Sequence, residues 1–234
     1  MNIDIKKNNL DYAEAHKAYM LCDFDRAYEI WHVAAELGDA DAQAWIGSMY
    51  ANGDGKEIDY HAAHSWYLKA ALQGHSMSQS NVGVNFYTGI GVEKNLDQAI
   101  YWLSAAAEKD DLKGLFNLAV LYSKGSVPEF NSETSEKMAA ELYRRAAVLG
   151  HYPSQSRLGY LYSIGKGVPK NRTQAYLWLT LAAQHGIGTT LDALESVVKD
   201  MSSEEKSEGM RLFNEWRLIT RSNEGPVAIH PSPA

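Results

Sequence analysis

Small and apolar residues recur along the chain at the three- and four-residue spacing of one α-helical face, and they do so in repeating blocks. Two adjacent alanines return at Ala34-Ala35, Ala70-Ala71, Ala106-Ala107, Ala146-Ala147 and Ala182-Ala183, at intervals of 36, 36, 40 and 36 residues. Three residues beyond the second alanine stands a glycine (Gly38, Gly74, Gly150, Gly186), with Asp110 in the remaining copy. A fixed period of this size signals stacked supersecondary units, none of which can bury its apolar face alone.

A second register runs between the alanine pairs. It reads Ala42-Gln43-x-x-Ile46-Gly47-x-x-Tyr50-x-x-Gly53-x-Gly55, then Ser78-Gln79-x-x-Val82-Gly83-x-x-Phe86-x-x-Gly89-x-Gly91. The later copies are Gly114-x-x-x-Leu118-Ala119-x-x-Tyr122-x-x-Gly125 and Ser154-Gln155-x-x-Leu158-Gly159-x-x-Tyr162-x-x-Gly165-x-Gly167. After the glycines comes another helical face, carried by Ala63-x-x-Trp66, Ala99-x-x-Trp102, Ala139-x-x-Leu142 and Ala175-x-x-Trp178. Each unit is therefore expected to be a hairpin of two helices, A and B. A glycine inside helix A costs up to about 1 kcal/mol in propensity. Its recurrence implies close approach of the two helix backbones, with the Tyr and Trp of the same unit covering the gap. The glycine after each alanine pair suits the left-handed residue that ends a helix, and the paired loop glycines suit a turn with positive φ.

A shorter unit comes first, with helix A over 11–22, a turn at Asp23-Phe24-Asp25, and helix B carrying Ala27-x-x-Ile30-Trp31. Segments 188–199 and 202–219 lack the small-residue signature. Ser202-x-x-Glu205 is a capping box, and Met210, Phe213 and Trp216 then share one face, which suits a terminal helical pair shielding the last repeat. The expected layout is repeats over 11–38, 39–74, 75–110, 111–150 and 151–186, a cap over 187–220, and a disordered tail over 221–234, where Pro, Gly and Ser occur without periodicity.

Composition narrows the function. With 45% hydrophobic and 22% charged residues the chain is of ordinary globular type. A net charge of −7 with scattered Lys and Arg excludes a sequence-independent grip on nucleic acid. Cys22 is the only cysteine, so no intrachain disulfide forms and no oxidising compartment is implied. The N-terminal sequence holds no signal-peptide core and no window reaches the length of a membrane span, so a cytoplasmic location is expected, or a periplasmic one if a leader has been removed.

These motifs resemble the Sel-one-like repeat, a relative of the tetratricopeptide repeat. The resemblance covers residues 24–186. It rests on Ile46-Gly47-x-x-Tyr50-x-x-Gly53-x-Gly55 with Trp66-Tyr67 and Ala70-Ala71, and on Gly89-Ile90-Gly91-Val92 with Ala99-x-x-Trp102. Gly165-Lys166-Gly167-Val168 with Ala175-x-x-Trp178 extends it. The third copy departs, with Ala119 for glycine, Val127 for the second loop glycine, and four extra residues around Pro128-Glu129-Phe130-Asn131. The family implies an all-α, right-handed α-solenoid of about five helix-turn-helix repeats that binds other proteins, often in bacterial signalling, secretion or envelope regulation. Cysteine-rich members linked to penicillin binding carry a disulfide in every repeat, a feature this chain lacks.

In such hairpins the groove positions lie three before, one after, four after and five after the small residue of helix A. Counting from Gly47, Gly83, Ala119 and Gly159 gives Ala44, Ser48, Ala51, Asn52; Ser80, Val84, Tyr87, Thr88; Phe116, Val120, Ser123, Lys124; and Ser156, Tyr160, Ser163, Ile164. Counting from Ala15 in the first unit gives Tyr12, His16, Tyr19 and Met20. The aromatic members form a stripe of the kind enriched where surfaces bind partners.

Other constellations read as structural. His61 and His64, spaced i,i+3, have no acidic or cysteine partner at a ligand spacing and are read as solvated helix residues. His75 and His151 follow helix-ending glycines and are read as shaping the inter-repeat turn. Asn52-Gly53-Asp54-Gly55 lacks the glutamate of a calcium loop. No nucleophile elbow, phosphate loop or dinucleotide fingerprint is present, and carboxylates near Cys22 would raise rather than lower its thiol pKa. The longer third loop, 125–136 with Phe130 at its tip, suits either a binding rim or a tolerated lengthening. The reading is a non-enzymatic protein-binding scaffold without cofactor or metal. The alternatives are an immunity or inhibitor protein that blocks a toxin, and an enzyme acting on cell-wall fragments.

Overall fold

The computed structural model describes residues 12–127, 131–186 and 188–222, and every regular element in them is an α-helix. The expected tail over 221–234 and the loop tip at Phe130 lie outside the described residues, except that the last helix includes 221 and 222. The helices are α1 (Tyr12–Met20), α2 (Phe24–Glu36), α3 (Ala40–Asn52), α4 (Tyr60–Leu72), α5 (Ser76–Thr88) and α6 (Leu96–Glu108). They continue as α7 (Leu112–Ser123), α8 (Ser132–Val148), α9 (Tyr152–Ile164), α10 (Arg172–Ala183), α11 (Gly188–Asp200) and α12 (Ser203–Ser222). The chain divides into two compact units, one up to residue 114 and one from 115 onward.

Within the first unit α1 packs on α2, α3 on α4 and α5 on α6, and the B helices α2 and α4 also pack on the A helices that follow them, α3 and α5. The small residue of helix A sets the closeness of each hairpin. A Cβ on Gly47 would lie 2.8 Å from the Tyr67 ring, and one on Gly83 would lie 2.7 Å from Leu103 Cγ. In the second unit Gly159 meets Leu179 in the same way. The gap is therefore closed by the residue after each tryptophan, not by the tryptophan itself. Trp66 instead stays half-buried beneath the Lys69 ammonium, 3.5 Å from its ring.

Four of the alanine pairs end their helices in one way. Gly38 donates its N–H to Ala35 O and Asp39 donates to Ala34 O, the paired bonds of a Schellman motif. The same two bonds recur at Gly74 and His75, at Asp110 and Asp111, and at Gly150 and His151. Gly38 sits at φ +88° and Asp110, replacing glycine, at +56°, in the left-handed region the motif requires. The next residue begins the following helix, with Asp39 and His75 serving as N-caps of α3 and α5. One residue thus closes helix B and opens the next helix A. A buried glutamine bolts this joint: Gln43 Nε2 donates to Ala35 O (3.0 Å), Gln79 to Ala71 O (3.3 Å) and Gln155 to Ala147 O (3.1 Å).

Three expectations are corrected. The turn joining α1 to α2 is Leu21-Cys22-Asp23, because Phe24 already belongs to α2, capped by the Asp23 carboxylate accepting from Arg26 N–H. The four extra residues of the third copy mostly lengthen helix B instead of its loop. α8 runs for 17 residues against 13 in α4 and α6, starting at an Asn131 cap, so 132–136 are helical. In α12 the capping box forms, Ser202 N–H donating to Glu205 at 2.8 Å and Glu205 N–H to Ser202 Oγ at 3.2 Å. Met210 is exposed, however, and the face against α10 is built from Gly209 over Tyr176, buried Phe213, and Trp216 edge-on to Trp178.

Candidate functional site

The predicted groove positions separate into two structural classes. Those three residues before the small residue engage the start of the next helix A. Tyr12 lies near Asp39, and burial first, then that carboxylate, pushes its phenol pKa up. Ser80 Oγ donates to the Asp111 carboxylate, and Ser80 is fully buried. In the second unit Phe116 sets its ring edge-on to His151 at 5.2 Å and also meets Tyr143. Ser156 Oγ bonds Thr190 Oγ1 at 2.7 Å. These side chains couple one repeat to the next, so Ser80 is no groove residue and Tyr12, Phe116 and Ser156 are only partly open.

The other positions face outward. In the first unit Met20 is 68% exposed, His16 and Asn52 are exposed, and Tyr19, Ser48, Val84 and Tyr87 are half-buried. In the second unit Val120 is half-buried while Lys124 and Tyr160 are exposed.

The richest cluster lies where α1 meets α3. Trp31 and Trp45 stack face to face with ring centres 4.5 Å apart. His16 stands edge-on to Trp45 at 5.1 Å, held by Nδ1 donating to Tyr12 O at 2.7 Å. Tyr19 meets Trp45 at 5.2 Å and Phe24 at 5.4 Å. Its hydroxyl donates to Asp54 Oδ2 at 2.6 Å, and Asn52 Nδ2 donates to the same oxygen at 3.2 Å. Burial and the bond to Asp54 push the Tyr19 pKa up to about 12. Burial does the same to Tyr67 beneath this cluster, up to about 12, with Asp54 adding to the shift. Trp45 and Asp54 were not among the predicted groove positions. Trp45 had a signal, standing in a register filled elsewhere by Asn81, Asn117 and Arg157.

The histidines divide. His61 is exposed, as a solvated residue would be, but His64 is buried, its ring edge-on to Phe86 at 5.1 Å and its Nδ1 3.4 Å from Asn85 Nδ2. Burial, with a smaller contribution from His61, lowers its pKa. His75 Nδ1 accepts from Ser78 N–H at 3.2 Å as the N-cap of α5. Its burial lowers the pKa against an opposing pull from Asp41, 3.4 Å away. Among the described residues no three His, Cys, Asp or Glu side chains gather as metal ligands. A shallow cavity of about 490 Å³ lies apart from these positions, between Tyr50, Ile58, Tyr60, His61 and Gly91.

The chain matches the Sel1 repeat over residues 23–39, 40–75, 76–111, 112–151 and 153–187. The chain belongs to the Sel1 repeat family. A putative Sel1-like repeat-containing protein of Acanthamoeba polyphaga mimivirus is 32% identical over 167 residues, 66% of this chain and 30% of the relative. Chitin synthase regulatory factor 3 of Schizosaccharomyces pombe is 23% identical over 71% of this chain and 18% of its own length. The chain thus spans less than a third of either relative. A Sel1 repeat protein from Oxalobacter formigenes has the same fold, with a TM-score of 0.72 at 24% identity over 92% of this chain and 85% of that one. The fold is the all-α solenoid of this family. No helix among the described residues is long and apolar enough to cross a membrane.

Proposed function

We propose that this Sel1 repeat protein is a non-enzymatic scaffold that holds a segment of another protein against the open face of its A helices. The observation carrying this reading is the outward set of the first unit: exposed His16, Met20 and Asn52 beside half-buried Tyr19, Ser48, Val84 and Tyr87. Aromatic rings that combine an apolar face with a polar tip, interspersed with hydrogen-bonding side chains, are the usual composition of a protein-binding surface. The regulatory role in the name of the S. pombe relative fits such an adaptor. The exposed single cysteine Cys22 suits a reducing compartment, and we place the protein in the cytoplasm.

The test is affinity capture from extract of the source cell, comparing the wild type with a Val84→Ala/Tyr87→Ala variant of unchanged helical content and melting temperature. A partner bound through this face is retained by the wild type and reduced at least tenfold by the variant. Equal retention of every partner would refute the assignment of the face.

A further inference from the structure

We propose that the α1–α3 corner is a receptor for a single basic side chain, lysine or arginine, on the bound polypeptide. This deepens the scaffold reading and rests on it. Asp54 is a half-buried carboxylate whose Oδ2 accepts from two neutral donors, Tyr19 Oη and Asn52 Nδ2. Among the described residues no Lys, Arg or His comes within ion-pairing distance of it, and its Oδ1 accepts from no described donor. Two of the cations on neighbouring segments are engaged elsewhere, Arg26 with Glu14 at 2.7 Å, and Lys56 with Asp25 at 3.9 Å and over the Tyr28 ring.

A partly desolvated carboxylate without a cation favours a ligand that supplies one, since burial weakens its solvation and strengthens its field. Tyr19 and Asn52 fix the carboxylate so that little ordering remains for binding. The aromatic wall beside it suits the same ligand. His16, Tyr19 and Trp45 offer ring surface for the methylene stem of a lysine, or for the plane of a guanidinium, while the charged head reaches Oδ1. Met20, exposed at the end of α1, adds adaptable apolar surface for the residue next to the cation. The chain's charge of −7 draws a basic segment toward it.

A random dodecapeptide display library panned against the full chain tests this. Selected peptides are measured by fluorescence anisotropy against the wild type, Asp54→Asn and Val84→Ala/Tyr87→Ala. Asparagine keeps an oxygen for the Tyr19 and Asn52 donors, and unchanged melting confirms the fold. The expected result is a lysine or arginine shared at one position of the selected peptides, with binding weakened at least tenfold by Asp54→Asn. Replacing that residue by norleucine or citrulline should weaken wild-type binding equally and cause no further loss on Asp54→Asn. Peptides that lose affinity on Val84→Ala/Tyr87→Ala but share no basic residue, or bind Asp54→Asn unchanged, overturn the receptor and leave the scaffold standing. No selected binders, or binders indifferent to both variants, overturn both.

Discussion

The second loop glycine gives the sharpest test of how the repeats are joined. Gly91 has φ +70°, and a Cβ built on it would lie 2.0 Å from Tyr60 O, at the start of the preceding B helix. Gly38 has a similar φ of +88°, yet a Cβ there would meet nothing within 4 Å. Alanine at either site pays the left-handed cost, about 1–2 kcal/mol. Only at position 91 must two backbone segments also separate, by roughly 1.4 Å to reach ordinary contact, and overpacking of this kind costs about 1–3 kcal/mol. Gly38→Ala is therefore expected to cost about 1 kcal/mol and Gly91→Ala about 3 kcal/mol. With a urea m-value near 3 kcal/mol/M, the unfolding midpoints fall by about 0.3 M and 1 M. The assay is urea unfolding followed by circular dichroism at 222 nm, with m compared among the three proteins. If the two variants shift the midpoint alike at constant m, inter-repeat contact at Gly91 is not the constraint, and the glycine serves only its turn.

Other perturbations read the joints and the buried groups. Gln43 makes two bonds, to Ala35 O and from Gln73 Nε2 at 2.8 Å, whereas among the described residues no donor reaches Gln79 Oε1. Gln43→Leu should cost about 1–3 kcal/mol and Gln79→Leu within about 1 kcal/mol, and equal losses in urea titrations would contradict the pairing. His64 is held below its ordinary pKa by burial. Above about pH 6.5 it is neutral folded and unfolded, while below that the unfolded chain takes up the proton first, so stability falls with pH. His64→Gln should flatten the decline in melting temperature between pH 7 and 5, and an unaltered slope would remove His64 from the acid response.

Much of the hairpin was legible because its determinants are local. The Schellman glycines follow their alanine pairs at fixed offsets, and the capping box at Ser202 announces α12. What stayed hidden depends on the neighbouring repeat. The pattern marks Gly91 as a turn residue but not its closeness to Tyr60, which only the stacking of hairpins creates. The glutamines of Ala42-Gln43, Ser78-Gln79 and Ser154-Gln155 recur visibly, yet their carbonyl partners lie at the end of the previous helix. The groove count failed at Ser80 for the same reason, since Asp111 becomes its neighbour only through the one-residue joint. The burial of His64 is not visible in its own helix, which gives no hint that Phe86 and Asn85 of α5 cover it. At the cluster, the register captured Tyr19 and Asn52, while Asp54 lies in a loop that the count does not sample.

Positions that recur and positions that vary have different physical duties. Gly47, Gly83 and Gly159 cannot gain a side chain without meeting Tyr67, Leu103 and Leu179. The alanine pairs are buried except for half-buried Ala183, and the carbonyls of the first four pairs accept the bonds that close their helices. Changing these groups costs stability in every repeat, so they can carry no information specific to a partner. Tyr19 and Met20, Ala51 and Asn52, Tyr87 and Thr88, Ser123 and Lys124, and Ser163 and Ile164 occupy equivalent places at the ends of the A helices. The exposed members among them can differ from copy to copy at little cost, because substitutions away from packed features usually change stability by less than about 0.5 kcal/mol. Recognition is therefore freest to be written there. The first unit's set, aromatic and polar around one carboxylate, differs in chemistry from the second unit's Lys124 and Ile164, so on the proposed scaffold reading the two units would offer a partner different chemistry.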